Sequence, residues 1–153
     1  MPRRSPPFKD DLMDQGLYYL ASPLKGSPEE EAYRFEVSLK LTMAFLTQGI
    51  YVFSPLIYTK KIAETLNSSS IEERREIIMT YLLRFLKTSK GLILVTLEGW
   101  QKSWGVNQEI KFCQENQMPV YVMCPDQASK DLSKIFDAPL SQQQVTFLLE
   151  AFQ

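Results

Sequence analysis

The segment Gly91-Leu92-Ile93-Leu94-Val95-Thr96-Leu97 has no charge and no alternation of polar and apolar residues. A strand with one wet face alternates. A strand apolar on both sides must be covered on both, as in the centre of a parallel sheet. Just before it, Ile77, Ile78, Tyr81, Leu82, Phe85 and Leu86 recur at helical spacing. Ser70 and Glu73 stand as a capping box at the start of that helix. Helix followed by buried strand requires a crossover between parallel neighbours.

The same alternation runs through the chain. Gly16 to Ala21 reads as a buried strand ended by Ser22-Pro23, and a loop follows to Pro28. Glu29-Glu30-Glu31 open a helix that runs to about Gln48, with Gly49 as its stop. Ile50 to Phe53 is a second strand, and a short helical piece follows Ser54-Pro55. After the third strand, residues Glu98 to Trp104 form a loop, and Gly105 leads into a helix to about Asn116. Val120 to Met123 is a fourth strand, with helices expected near Leu132 and from Gln142 onward. The expected fold is a single α/β domain over residues 16–153. It has a flavodoxin/Rossmann-like parallel sheet of about 4–5 strands and helices on both faces. Residues 1–15 read as a disordered arm. In such sheets ligands sit at the carboxyl ends of strands. Ser22 to Ser27, Ser54 to Tyr58 and Glu98 to Glu109 should therefore meet.

Composition narrows the chemistry. The 153 residues contain no histidine, which excludes Ser-His-Asp, Cys-His and histidine-ligated zinc sites. Acid-base or nucleophilic work falls to Asp, Glu, Lys, Tyr, Cys, Ser or Thr. A net charge of -1 suggests no nucleic-acid surface. The apolar runs are too short to span a bilayer, and the first residues lack a secretory apolar stretch. A cytoplasmic protein is expected, with no membrane partner, no metal and no cofactor. Cys113 and Cys124 are expected to be reduced core thiols. The terminal stripe Val145, Leu148, Leu149 and Phe152 is expected to pack on the sheet, with a homo-oligomer interface as the alternative.

The richest stretch is Ser103-Trp104-Gly105-Val106-Asn107-Gln108-Glu109-Ile110, which follows a buried strand and opens a helix. Helix-start amides and the Ser103 hydroxyl favour an anion there. Glu109, about a turn in, is either a carboxylate turned into the crevice or a solvated residue beside Lys111.

The spacing Ser-x-Gly-Val-x-x-Glu-Ile resembles the active-site motif of the nucleoside 2-deoxyribosyltransferases and the related 2′-deoxynucleoside 5′-phosphate N-hydrolases. Tyr19-Leu20-Ala21-Ser22-Pro23-Leu24-Lys25-Gly26 is similar to their opening strand and loop, and Gly49 to Pro55 to their second strand. Gly99-Trp100 before Ser103 resembles an uncharacterised bacterial and phage branch of that superfamily. The resemblance implies that Glu109 is the nucleophile of N-glycosidic cleavage or transfer on a nucleoside or nucleotide. It implies that Ser103, Gly105, Ser22, Gly26 and Lys25 hold the 5′ end and that Tyr19 lies near the sugar. Trp100 and Trp104 are candidates to stack on the base. The bland readings are core packing for Tyr19, an ordinary loop lysine for Lys25 and structural lids for both tryptophans. The family's proton-donating aspartate corresponds to Leu82 here and a second acid to Lys90. Glu98, Tyr58 and Asp126 are substitute candidates. The alternatives are a non-catalytic nucleotide-binding or sensing protein and an NAD glycohydrolase-like activity.

Overall fold

A computed structural model describes residues 16–67 and 70–151. The expected arm over residues 1–15 and Phe152 of the terminal stripe lie outside them. Four parallel strands, β1 (Tyr18–Ala21), β2 (Val52–Phe53), β3 (Leu92–Val95) and β4 (Val120–Met123), form one sheet in the order β2-β1-β3-β4. Five α-helices alternate with them: α1 (Pro28–Thr47), α2 (Pro55–Thr65), α3 (Ile71–Thr88), α4 (Trp104–Glu115) and α5 (Gln142–Glu150). The short helical piece expected after Pro55 is α2. Short 3-10 turns occupy Trp100–Lys102, Pro125–Ser129 and Leu132–Asp137, so the region near Leu132 is a 3-10 turn instead of an α-helix.

The strands bury both faces, as their continuous apolar character requires. Tyr19, Leu92 and Leu94 pack with Leu82, Val106, Ile110 and Val145 from α3, α4 and α5. The intervening Leu20, Ile93 and Val95 pack with Leu41 and Phe45 of α1 and with Leu132 and Ile135. The sheet therefore has helical cover on both sides. Leu148 and Leu149 rest against the first of these clusters, so the described part of the terminal stripe packs inward.

Local signals explain the helix limits. The Ser27 side chain accepts from the Glu30 N–H in a complete capping box, and Gly49 has φ 76° just beyond the helix end. The Ser70 hydroxyl accepts from the Glu73 N–H at the start of α3. The thiols divide: Cys113 is buried on α4, whereas Cys124 is exposed beyond β4 and is not a core thiol. β4 is the edge strand and ends at Met123, so Cys124 stands past the end of the sheet, with the Thr96 hydroxyl 3.7 Å from its sulfur.

The order in which strands are added to the sheet reverses at β1. β2 lies on one side of it and β3 on the other. The connections leaving the carboxyl ends of β1 and β3 therefore diverge and leave a crevice between them.

Candidate functional site

A cavity of about 640 Å³ opens at that crevice, within the range of small-molecule sites. Ser22 and Lys25 line it after β1, Pro55 and Leu56 at the start of α2, and Ser103, Gly105 and Glu109 after β3. The three segments expected from sequence meet here. α3 forms a fourth wall with Ile71, Arg74, Arg75, Ile78, Met79 and Leu82, of which sequence reading singles out Leu82 alone for the site.

Glu109 lies on the inner face of α4 with Val106, Ile110 and Cys113, at i−3, i+1 and i+4. This spacing turns all four toward the sheet. The side chain is only 5% exposed, so the solvated alternative does not hold. Burial pushes its carboxyl up to about 8, and the Tyr19 hydroxyl offsets part of that rise. Tyr19 is fully buried, and its hydroxyl has no hydrogen-bond partner of ordinary geometry among the described residues. Burial first, and then the Glu109 charge, hold that hydroxyl well above its usual pKa. The pair is thus a carboxyl and a phenol kept from water, and Glu109 has no ion pair among the described residues. Such groups gain most from a ligand that supplies charge or hydrogen bonds.

Ser103 is the N-cap of α4; its hydroxyl oxygen accepts from the Val106 N–H at 3.3 Å. That fixes the helix start and leaves the hydroxyl proton available to a ligand. Ser22 is buried, and its hydroxyl lies 3.1 Å from that of Ser38 on α1. Gly26 is exposed on the loop, outside the cavity lining. Trp100 packs against the core and is not part of the lining, whereas Trp104 is. The Arg75 guanidinium stacks on the Trp104 ring, 4.8 Å from its centroid.

The substitute acids do not converge on Glu109. Tyr58 is exposed and paired with the Tyr81 hydroxyl at 2.8 Å. Asp126 borders a separate depression with Tyr33 and Lys40. Glu98 is exposed and does not line the cavity. Leu82 lines the cavity, and Lys90 stands just before β3, at the opposite, amino end of the strands.

Arg34 is one of the residues that sequence reading missed. It is 8% exposed and occupies the inner stripe of α1 with Ser38, Leu41 and Phe45. Its guanidinium donates to the carbonyls of Leu24 and Lys25 after β1 and to that of Glu98 after β3, the last at 2.9 Å. One side chain therefore ties together the two loops that bound the crevice. Gly99 permits this: it has φ 88°, and a Cβ there would meet the Arg34 guanidinium at 2.8 Å. An arginine and a serine on an otherwise apolar helical stripe were the available signal.

No group of acidic and cysteine side chains among the described residues is arranged to hold a metal ion. No described helix is long and apolar enough to cross a membrane.

A family described as "Domain of unknown function (DUF1937)" matches residues 18–125. Among solved structures, a 2-deoxyribosyltransferase from the psychrotolerant bacterium Bacillus psychrosaccharolyticus matches with a TM-score of 0.54 and 16% identity. The match covers 77% of this chain and 94% of that one. At that identity the likeness is one of fold. No curated protein is significantly similar to the chain.

Proposed function

The chain belongs to the DUF1937 family, and on that premise we propose that it cleaves or transfers the N-glycosidic bond of a nucleoside or nucleotide, with Glu109 as the nucleophile. The observation that carries this reading is a carboxyl buried beside an unpartnered phenol at the floor of a cavity, at the switch point of the sheet. A purely structural carboxyl in that position would be expected to have fixed donors.

In this reading the Glu109 carboxylate attacks the anomeric carbon as the bond to the base breaks, and the bonding electrons leave with the base. A glycosyl ester results. Water, or a second base, then attacks the same carbon and frees the carboxylate, in the manner of retaining glycosidases. Tyr19 stands beside Glu109 and steadies its charge. Ser103, Ser22 and Lys25 hold the 5′ end of the sugar, and Trp104 covers the entrance.

Leu82 favours a refinement. It offers no proton at the position where a leaving base would be protonated. Suitable substrates are those whose base departs without prior protonation, such as the cationic nicotinamide of NAD. A non-catalytic sensor is the alternative that Leu82 also supports, because Glu109 is largely protonated near neutral pH. The same reading takes 16–153 as one domain in a cytoplasmic protein, with a homo-oligomer open to test by sizing.

The test is to incubate wild type and Glu109→Gln with nucleosides, 2′-deoxynucleosides, their 5′-monophosphates and NAD, and to quantify free base by chromatography. Release by wild type alone supports the enzyme. No release from any substrate, with calorimetric binding intact, leaves the sensor.

A further inference from the structure

Five basic residues line the cavity: Lys25, Arg34, Arg74, Arg75 and Lys102, against the acids Glu30 and Glu109. The whole chain has a net charge of -1, so this excess is local to one cavity. Arg34 is occupied by loop carbonyls and Glu30. The other four have no such carbonyl or carboxylate partner among the described residues. Arg74 and Arg75 form no ion pair with an acidic side chain among the described residues, and the Arg74 Nε is buried without a partner. Burying part of a guanidinium unpaired is unfavourable unless something else accepts its hydrogen bonds.

Their height in the cavity follows from helix geometry. Arg75 lies against Trp104, and one turn further in Met79 stands beside Gly105, so α3 and α4 run side by side. Glu109 is five residues beyond Trp104 and Leu82 seven beyond Arg75, which places them about 7–10 Å deeper at 1.5 Å per residue. Burial follows the same gradient: Glu109, Leu82 and Met79 are buried, Arg74, Arg75 and Trp104 half-buried, and Lys25 and Lys102 exposed. The cavity has a reactive floor and a cationic mouth.

We infer that the mouth binds the pyrophosphate of a nucleotide, with Arg74 and Arg75 as its specificity-determining residues and Lys25 and Lys102 completing the collar. This rests on the Glu109 reading for the position of the sugar. A ribose seated at Glu109 turns its 5′ end toward Ser103 and Lys25 but does not span to Arg74 and Arg75, whereas a ribose carrying two linked phosphates does. A monophosphate, with a charge of about −1.5 to −2, would leave much of this cationic charge unmatched. Arg suits the task because its planar fork grips two phosphate oxygens at once. The pyrophosphate can come from a linear nucleoside diphosphate or from a dinucleotide. In the second case the apolar shelf of Ala63, Ile71 and Ile78 beside the arginines is where the second nucleoside would rest.

The test is calorimetric titration of the full chain with adenosine, AMP, ADP, NAD and inorganic pyrophosphate, in wild type and in Glu109→Gln. ADP should bind about tenfold tighter than AMP, with a steep loss on raising salt. That ADP/AMP ratio should fall toward one in Arg75→Gln and in Arg74→Gln. Lys102→Gln, an exposed change that spares the fold, should lower it in part. Equal binding of AMP and ADP by wild type overturns the inference, as does a ratio that survives both arginine substitutions in folded protein. NAD binding at least as tightly as ADP assigns the dinucleotide; ADP binding without NAD assigns the linear chain. No base release by wild type, with the ratio intact, defeats the Glu109 reading alone. Base release from monophosphates without any ratio defeats this inference alone.

Discussion

Replacing Glu109 by Gln should stabilise the protein, and by an amount that grows with pH. The ordinary carboxyl value is 4.5, and burial raises Glu109 to about 8. Between those values the unfolded chain releases the proton while the native state keeps it. The unfolded state then binds fewer protons, so stability falls as pH rises across this window. Below 4.5 both states are protonated and nothing is lost; above about 8 both are ionised and the loss is complete. At about 1.4 kcal/mol per pH unit, the span from 4.5 to about 8 sets a ceiling of about 5 kcal/mol. Local relaxation and water entry reduce it. Glutamine keeps the shape and cannot ionise. Urea unfolding followed by the fluorescence of Trp100 and Trp104, at steps from about pH 4.5 to 9, measures both proteins. Because every other titrating group is shared, the difference between variant and wild type isolates Glu109. That difference should be near zero at the acid end and reach several kcal/mol above pH 8. A difference that stays flat with pH, or shrinks toward alkali, refutes a carboxyl held protonated by burial.

If Glu109 attacks as a carboxylate, kcat/KM for base release should climb with pH and level off above about 8; a pH-independent rate defeats the nucleophile role. Tyr19→Phe should move that midpoint upward, because the phenol's offset is removed, while stability at about pH 5, where Glu109 is protonated, changes little. An unmoved midpoint removes Tyr19 from the site. Arg34→Lys keeps the charge but cannot reach both loops, and should lower stability by about 2–4 kcal/mol and raise KM; unchanged unfolding and KM would show that the clamp is idle. Leu82→Asp should speed base release on the order of 10²-fold at a stability cost of about 2–5 kcal/mol. Lost stability without gained rate would show that no proton is needed at that position.

The alternation of strands and helices was legible because both are written in short periods. Leu92 to Val95 must be covered on both faces wherever they sit, and Ser70 caps a helix through its own neighbours. Glu109 was legible as a position, since its spacing from Ser103 places it about a turn and a half into α4, but not as a state. Its exposure depends on what lies opposite, and Lys111 beside it suggested water. Only the tertiary fold, which brings Tyr19 from 90 residues away in the chain, makes it a buried carboxyl with a raised pKa. Arg34, Arg74 and Arg75 were missed for the same reason. Each is an ordinary cation until the reversal of strand order at β1 sets α1, α3 and the two loops around one crevice. Local sequence determined where the chain turns and which faces are apolar. The tertiary structure alone decided which charges are taken from water, because desolvation is a property of everything that surrounds a group and not of the group itself.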